Sequence, residues 1–217
     1  MGSYYPGSKV ELRGAIAKYY DILLDTVTFG RYSHFIQKVI SLLDIKREDK
    51  IIDLGAGTGR NACLMAKHIS SKGELIGFEI SEDMLANFNK NCSKFSNVKA
   101  IKKRIEKDLG YKAYFDKAFI SFVLHGFPQE VRLKIIKNIF KALKNNGELF
   151  ILDYNEFLLE NMPIYARIPF KTIECTYAFD FIEKDWKKIL AGEGFKNFSQ
   201  HLFLKNYVRL LRAIKIT

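Results

Sequence analysis

The 217-residue sequence predicts an α/β protein built on a mostly parallel sheet. Three observations carry that expectation. Short apolar runs alternate with amphipathic segments along most of the chain, the pattern of strands joined by crossover helices. One of these runs, KIIDLGAG at 50–57, ends in closely spaced glycines and reads as a buried strand. The last stretch, FKNFSQHLFLKNYVRLLRAIK at 195–215, reads as an antiparallel strand pair turning near Lys205-Asn206.

In chain order, residues 1–45 are helical and form an N-terminal lid, and residues 46–217 form the main domain. In ELRGAIAKYYDILLDTVTF the residues Ile16, Tyr19, Tyr20, Leu23, Leu24 and Val27 make a helical stripe. A second helix follows Gly30, near 32–44. After the strand at 50–57, TGRNACLMAKHI reads as a helix and ELIGFEI (74–80) as a second strand. Ser81 is a good N-cap for SEDMLANFNKNCSKF, whose acidic opening suits the positive end of a helix dipole. NVKAIKKR (97–104) is an edge-like third strand and FDKAFISFVL (115–124) a fourth. PQEVRLKIIKNIFKALKNNG is a long amphipathic helix, with Pro128 in its first turn and Gly147 beyond its end, and ELFILDY (148–154) is the fifth strand. Residues 155–181 break the alternation with Pro163, Pro169 and many aromatics, and read as a partly helical insertion. EKDWKKILAGEGF is a helix ending at Gly194.

Composition narrows the class. An apolar fraction of 48% with 14% aromatics excludes a disordered chain. Cys63, Cys92 and Cys175 are odd in number and lack CxxC spacing, which argues against a disulfide framework and a structural zinc site. With four scattered histidines the expectation is no metal and a reducing compartment. No apolar run approaches the ~18 residues of a membrane span, and MGSYYPGSKVELRG lacks a signal-peptide core, so a cytoplasmic protein is expected. Thirty-five Lys+Arg against 24 Asp+Glu give a net charge of +11. The basic residues are spread evenly, with KKRIEK (102–107) the densest patch. A lysine-rich solvated surface is therefore preferred to a membrane-facing role, and that in turn to nucleic acid.

The chemistry concentrates in IIDLGAGTGR at 51–60. A buried strand runs into Gly55, Gly57 and Gly59 and then a helix, so backbone N–H groups and a helix N-terminus can approach an anionic or polar ligand. Such a loop holds a dinucleotide or the amino-acid end of S-adenosylmethionine. The spacing is GxGxG rather than GxGxxG, and Arg60 stands where the third small residue of a dinucleotide site would fall, which favours S-adenosylmethionine. Glu79, at the end of the second strand, can accept from both hydroxyls of a ribose. Asp53 either orients loop amides or meets the ligand's ammonium group.

DLGAGTGR (53–60), GFEISEDML (77–85), FDKAFISFVLHGF (115–127) and LKNNGELFILDY (143–154) follow one another at the spacings of class I S-adenosylmethionine-dependent methyltransferases, which the chain resembles over roughly 45–215. The resemblance implies a Rossmann-like, seven-stranded, mostly parallel sheet with helices on both faces and an antiparallel C-terminal strand. It makes 46–217 the cofactor-binding domain and places the 155–181 insertion on the substrate side. It implies that Gly55, Ala56, Gly57 and Gly59 wrap the methionine moiety with Asp53 beside them, that Glu79 takes the ribose, and that Ile80 flanks the adenine. Arg104, Ile105 and Glu106 would border the other side of that ring. Arg104 cannot accept from the adenine amino group, which leaves the Ile105 backbone or Glu106. Ser121 and Phe122 would sit beside the sulfonium. AKYYDILLDTVTFG (17–30) and FDKAFISFVL also resemble UbiE-type ubiquinone/menaquinone C-methyltransferases, which implies quinone-ring C-methylation. RYSHFIQK lacks that group's usual Arg and Trp, and the fourth strand ends LHGF rather than with Arg-Asn.

Methyl transfer from a sulfonium is an in-line displacement that needs alignment and water exclusion more than a catalytic triad, and none is evident. A base would help if the acceptor is a carbon ortho to a phenol. His125, just after the fourth strand, is the candidate, against a packing or capping role. Tyr20 and Asp21 are candidates for a lid over the cofactor, against plain helix positions. Tyr154, Asn155, Tyr165 and Tyr177 would line an acceptor pocket, although core packing predicts the same composition. Cys63 and Trp186 read as core. The expected partner is a small-molecule acceptor, with a lipid quinone and peripheral membrane contact as the finer reading. The alternatives are an RNA or protein substrate, or a thiol or metalloid acceptor. Against nucleic acid, the site after the fourth strand reads SFVL where base-amino methylases carry an NPPY-like tetrapeptide. A non-catalytic or NAD-dependent protein is disfavoured by the GxGxG loop and Arg60. The sequence carries no signal of oligomeric state.

Overall fold

The computed structural model describes Tyr5, Ser8 and residues 31–216. The helix expected at 11–29, with Tyr20 and Asp21, lies outside the described residues. Helix α1 (Arg31–Ser41) precedes β1 (Lys50–Leu54), α2 (Arg60–Ala66), β2 (Glu74–Glu79), α3 (Glu82–Asn91), β3 (Val98–Lys102) and β4 (Phe115–Ser121). A 3-10 turn (Leu124–Gly126) leads into α4 (Gln129–Ala142) and β5 (Leu143–Tyr154). The insertion holds a second 3-10 turn (Leu159–Asn161), α5 (Ile164–Ile173) and α6 (Thr176–Ile182). Then come α7 (Trp186–Gly192), β6 (Phe195–Phe203) and β7 (Val208–Lys215).

The strands form one sheet in the order β3-β2-β1-β4-β5-β7-β6. Strands β1 to β5 pair in parallel, and β7 runs antiparallel between β5 and β6. The expected fold class and the edge position of β3 both hold. Side chains alternate across the sheet. Ile52, Leu54 and Phe78 join Ile135, Ile136 and Ile139 of α4 and Trp186 of α7 in one core. Ile51, Leu75 and Phe119 join Ile36, Val39 and Ile40 of α1, Met65 of α2 and Phe88 of α3 in the other. The strand order reverses between β1 and β4, so a crevice opens at their carboxyl ends, where open α/β sheets take ligands.

Two expectations need correction. Helix α4 stops at Ala142 and β5 starts at Leu143, five residues earlier than the run ELFILDY implies. Leu143 already pairs with Phe115, and the ladder then skips to Lys117 opposite Glu148. The intervening Lys-Asn-Asn-Gly is a bulge, with Asn146 at φ 63°, and not a helix end. The second correction concerns Cys63 and Cys92, which form a disulfide with Cα atoms 5.5 Å apart. They lie 29 residues apart, but α2 and α3 follow adjacent parallel strands and pack side by side, which brings the two sulfurs together. Cys175 is the free, buried cysteine.

Candidate cofactor and acceptor site

The loop after β1 is shaped by backbone that side chains would spoil. Gly55 has φ +74°, and a Cβ there would lie 2.6 Å from Val123 Cγ2, so the loop fits against the segment after β4 only as glycine. Gly57 has φ +54°, yet a Cβ there would meet nothing within 4 Å. The loop is therefore closed on the β4 side at Gly55 and open on its outer side at Gly57. The amides of Gly55 and Ala56 donate to the Phe78 carbonyl at 2.8 and 3.0 Å, fastening the loop to the end of β2.

Two carboxylates meet beneath this loop. Glu79 accepts from the N–H groups of Gly57 (3.0 Å), Ile80 (2.7 Å) and Ser81 (2.9 Å), which uses three of its roughly four lone-pair sites. Asp53, on β1, is 1% exposed. Its Oδ2 has no hydrogen-bond partner among the described residues. Burial first, and the Glu79 charge second, push its carboxyl up to about 7. A buried acceptor without a donor is costly unless a ligand supplies one. The ammonium end of S-adenosylmethionine fits that need, the open face at Gly57 gives it room, and Glu79, 22 residues beyond Gly57, holds the loop at that point.

The residues expected beside the adenine are held together. Lys103 donates its N–H to the Glu79 carbonyl (3.0 Å), which seats the 103–106 turn beside β2. Arg104 pairs with Glu106 and donates to the Tyr5 hydroxyl at 3.2 Å. Ile105 is buried in the core, and its carbonyl accepts from Asn138 at 3.1 Å. Helix α3 begins as expected, with the Ser81 hydroxyl accepting from Met84 N–H at 3.4 Å. Arg60 lies with its guanidinium 5.6 Å from the Tyr32 ring centroid, facing α1.

At the carboxyl end of β4, Ser121 closes the strand and Phe122 takes φ 51°, a left-handed conformation that bulky residues avoid. Its N–H is held by the Leu152 carbonyl at 2.8 Å, and its ring stands 6.1 Å from Tyr154. His125 follows in the 3-10 turn, 7% exposed. Its Nδ1 lies 2.8 Å from Asp153 Oδ1, its backbone N–H donates to Asp153 Oδ2 at 3.2 Å, and its Nε2 lies 3.5 Å from Glu174 Oε2. Burial works to lower its basicity, but Asp153 and Glu174 outweigh burial and raise it above the usual histidine value. The Tyr154 hydroxyl donates to Glu174 Oε1 at 2.5 Å, and burial and that carboxylate raise the phenol well above its ordinary range.

Sequence reasoning singled out His125 but missed Asp153, Glu174 and Arg132. Arg132, fully buried on α4, donates to the carbonyls of Leu124, His125 and Tyr177 and pairs with Asp180 at 2.7 Å. It thereby ties the His125 turn to α6. Asp153 offered one signal, an acid in the apolar run 149–154, one position from the carboxyl end of β5. Of the expected acceptor-side residues, Tyr154 faces Phe170 at 5.0 Å, while Tyr165 is 70% exposed on the outside of α5. The pocket reading does not hold for Tyr165, because Phe170 supplies the inward side of that helix.

Fold and site together define a class I S-adenosylmethionine-dependent methyltransferase domain. The family model described as a methyltransferase domain matches residues 45–194, and the chain belongs to that family. The ubiquinone/menaquinone biosynthesis C-methyltransferase UbiE of Yersinia enterocolitica is 26% identical over 157 residues, 71% of this chain and 62% of that protein. A methyltransferase from Aquifex aeolicus, described as SAM-dependent, superposes with a TM-score of 0.64 at 18% identity, covering 83% of this chain and 89% of that one. Human N-acetylserotonin methyltransferase, solved in complex with SAM, gives 0.66 at 15% identity, covering 87% of this chain and 53% of that one.

Proposed function

We propose that this chain transfers a methyl group from S-adenosylmethionine to a small aromatic acceptor, and that the acceptor is the ring carbon of a lipid-quinone precursor. The observation that carries the transfer reading is the orphaned Asp53 carboxyl beneath a glycine loop open at Gly57. Asp53 meets the ammonium group, Glu79 a ribose hydroxyl through its remaining lone-pair site, and the 103–106 turn the adenine. The cofactor supplies an electrophilic methyl that already carries its activating charge. The protein's part is to hold acceptor and donor in line and keep water out.

The acceptor reading rests on the aromatic wall of Tyr154, Phe157 and Phe170, on the UbiE relative's name, and on the acid–base cluster beside that wall. Methylating a carbon ortho to a ring hydroxyl is eased when the hydroxyl proton leaves. Neutral His125 takes that proton at its imidazole, with Asp153 orienting the ring. Because Asp153 and Glu174 hold a proton on His125 in the free protein, the neutral form gains population only as pH rises through that raised value. A lipid-quinone acceptor would also bring the enzyme to a membrane surface.

The test is methyl transfer from labelled cofactor into a panel of demethylquinones, thiols, metalloid ions and tRNA. Label entering a demethylquinone is expected, with a rate that climbs with pH and falls roughly 10²–10⁴-fold in His125→Ala. Label entering only a thiol, a metalloid or tRNA overturns the acceptor. A pH-independent rate unchanged by His125→Ala overturns the base.

A further inference from the structure

Helix α5 has two unlike faces. Inward, Phe170 packs on Tyr154 at 5.0 Å, Phe157 at 6.0 Å and Phe179 at 5.8 Å, forming the outer wall of the acceptor side. Outward, Ile164 is 63% exposed, Tyr165 70% and Ile168 60%. Ile164 and Ile168 stand one turn apart, so the three residues form one ridge and not scattered apolar positions. The tip of the β6–β7 hairpin extends the ridge. Lys205 Nζ lies 3.3 Å from the Tyr165 hydroxyl, and the neighbouring Leu204 is 65% exposed.

The two elements that form this ridge carry charge of one sign, the nearest exposed acid being Glu160 in the preceding 3-10 turn, whose carbonyl accepts from Arg167 at 3.2 Å. Helix α5, IYARIPFKTI, has no acid and carries Arg167 and Lys171. Residues 195–215, the whole hairpin, also contain no Asp or Glu, and Lys205 sits at its tip. Apolar side chains flanked by cations, with a tyrosine whose ring is apolar and whose hydroxyl is polar, match the boundary between acyl chains and anionic headgroups. A protein partner would leave these cations needing matched acids, whereas an anionic bilayer supplies them without register. Among the described residues no helix is long and apolar enough to cross a membrane, so the contact is interfacial.

We propose that the outer face of α5 and the tip of the β6–β7 hairpin dock the protein on an anionic lipid bilayer. The inner face of the same helix borders the acceptor side, so docking presents that side to molecules dissolved in the membrane. The purpose of the contact rests on the lipid-acceptor reading, but the contact itself does not. Methylation of a detergent-dispersed quinone without vesicle binding leaves that reading and removes this one. Vesicle binding without quinone methylation does the reverse.

The experiment is co-sedimentation of the full chain with vesicles of phosphatidylcholine alone or with phosphatidylglycerol, at low and high salt. Binding to the mixed vesicles at low salt is expected. It should fall at least tenfold with high salt and at least tenfold in Ile164→Glu/Ile168→Glu, while S-adenosylmethionine affinity in solution stays unchanged. Absence of binding to the anionic vesicles at low salt overturns the proposal. So does equal binding by the variant, or a wild-type dimer in sedimentation analysis that the variant breaks, which assigns the ridge to a second copy of the chain.

Discussion

Asp53 shows how one residue couples burial to ligand choice. Buried beside Glu79, with Oδ2 lacking a donor, its carboxyl keeps its proton up to about pH 7, far above the ordinary aspartate value. An ammonium group beside it favours the ionised form, so binding S-adenosylmethionine must expel that proton below pH 7. Affinity should then weaken by up to about tenfold for each pH unit below 7 and level off above it. Calorimetric titrations in two buffers of different ionisation enthalpy should reveal proton release at pH 6 and almost none at pH 8. Asp53→Asn should bind weakly at every pH with no such release, and a wild-type affinity flat from pH 6 to 8 would sink the assignment. The sequence made Asp53 visible as a motif residue, but not its missing partner. Whether a strand acid finds a donor depends on loops elsewhere in the chain, and here the Gly57 amide goes to Glu79.

At the scale of elements, strands and helices of the crossover region were legible because their periodicities agree with their surroundings. The end of α4 was not, because Lys144-Asn-Asn-Gly reads locally as a helix stop while pairing of Leu143 with Phe115 draws the chain into the sheet earlier. The contact between α2 and α3 was hidden for a related reason. Sequence gives each helix its apolar face but not the register between two helices, so Cys63 and Cys92 read as unrelated residues. Their bond closes a loop of 29 residues, which by chain entropy stabilises the fold by about 3–4 kcal/mol. Reduction should lower the melting temperature by about 10 °C for a chain of this size. The bond also joins the helix after the glycine loop to the helix after Glu79, so reduction should weaken cofactor binding as well. Alkylation under denaturing conditions should label Cys175 alone before reduction and three cysteines after it. Three labelled cysteines without reductant would show that the bond does not form.

The whole molecule is organised around the reversal of strand order between β1 and β4. Everything the motif sequences marked as cofactor-binding lies at the carboxyl ends of β1, β2 and β4 or in the turn after β3, gathered by a sheet whose two cores are independent in sequence but share every central strand. That gathering was legible through the resemblance to a known family, since composition and periodicity give alternation but not strand order. The acceptor side was less legible, because the insertion at 155–181 follows no repeating pattern and its contacts are made by Arg132 and Glu174 from different elements. A ligand at this crevice touches loops from several strands at once and should stabilise the sheet as a unit. At a free concentration 100 times its dissociation constant, S-adenosylmethionine adds about 2.7 kcal/mol to the folded state. For a chain of this length that raises the melting temperature by about 5–10 °C. NAD should produce no shift, because the GxGxG spacing lacks the third small residue of a dinucleotide site. Scanning fluorimetry with both compounds decides between them: a shift with NAD, or none with S-adenosylmethionine in either the oxidised or the reduced protein, would mean that the crevice serves a different ligand.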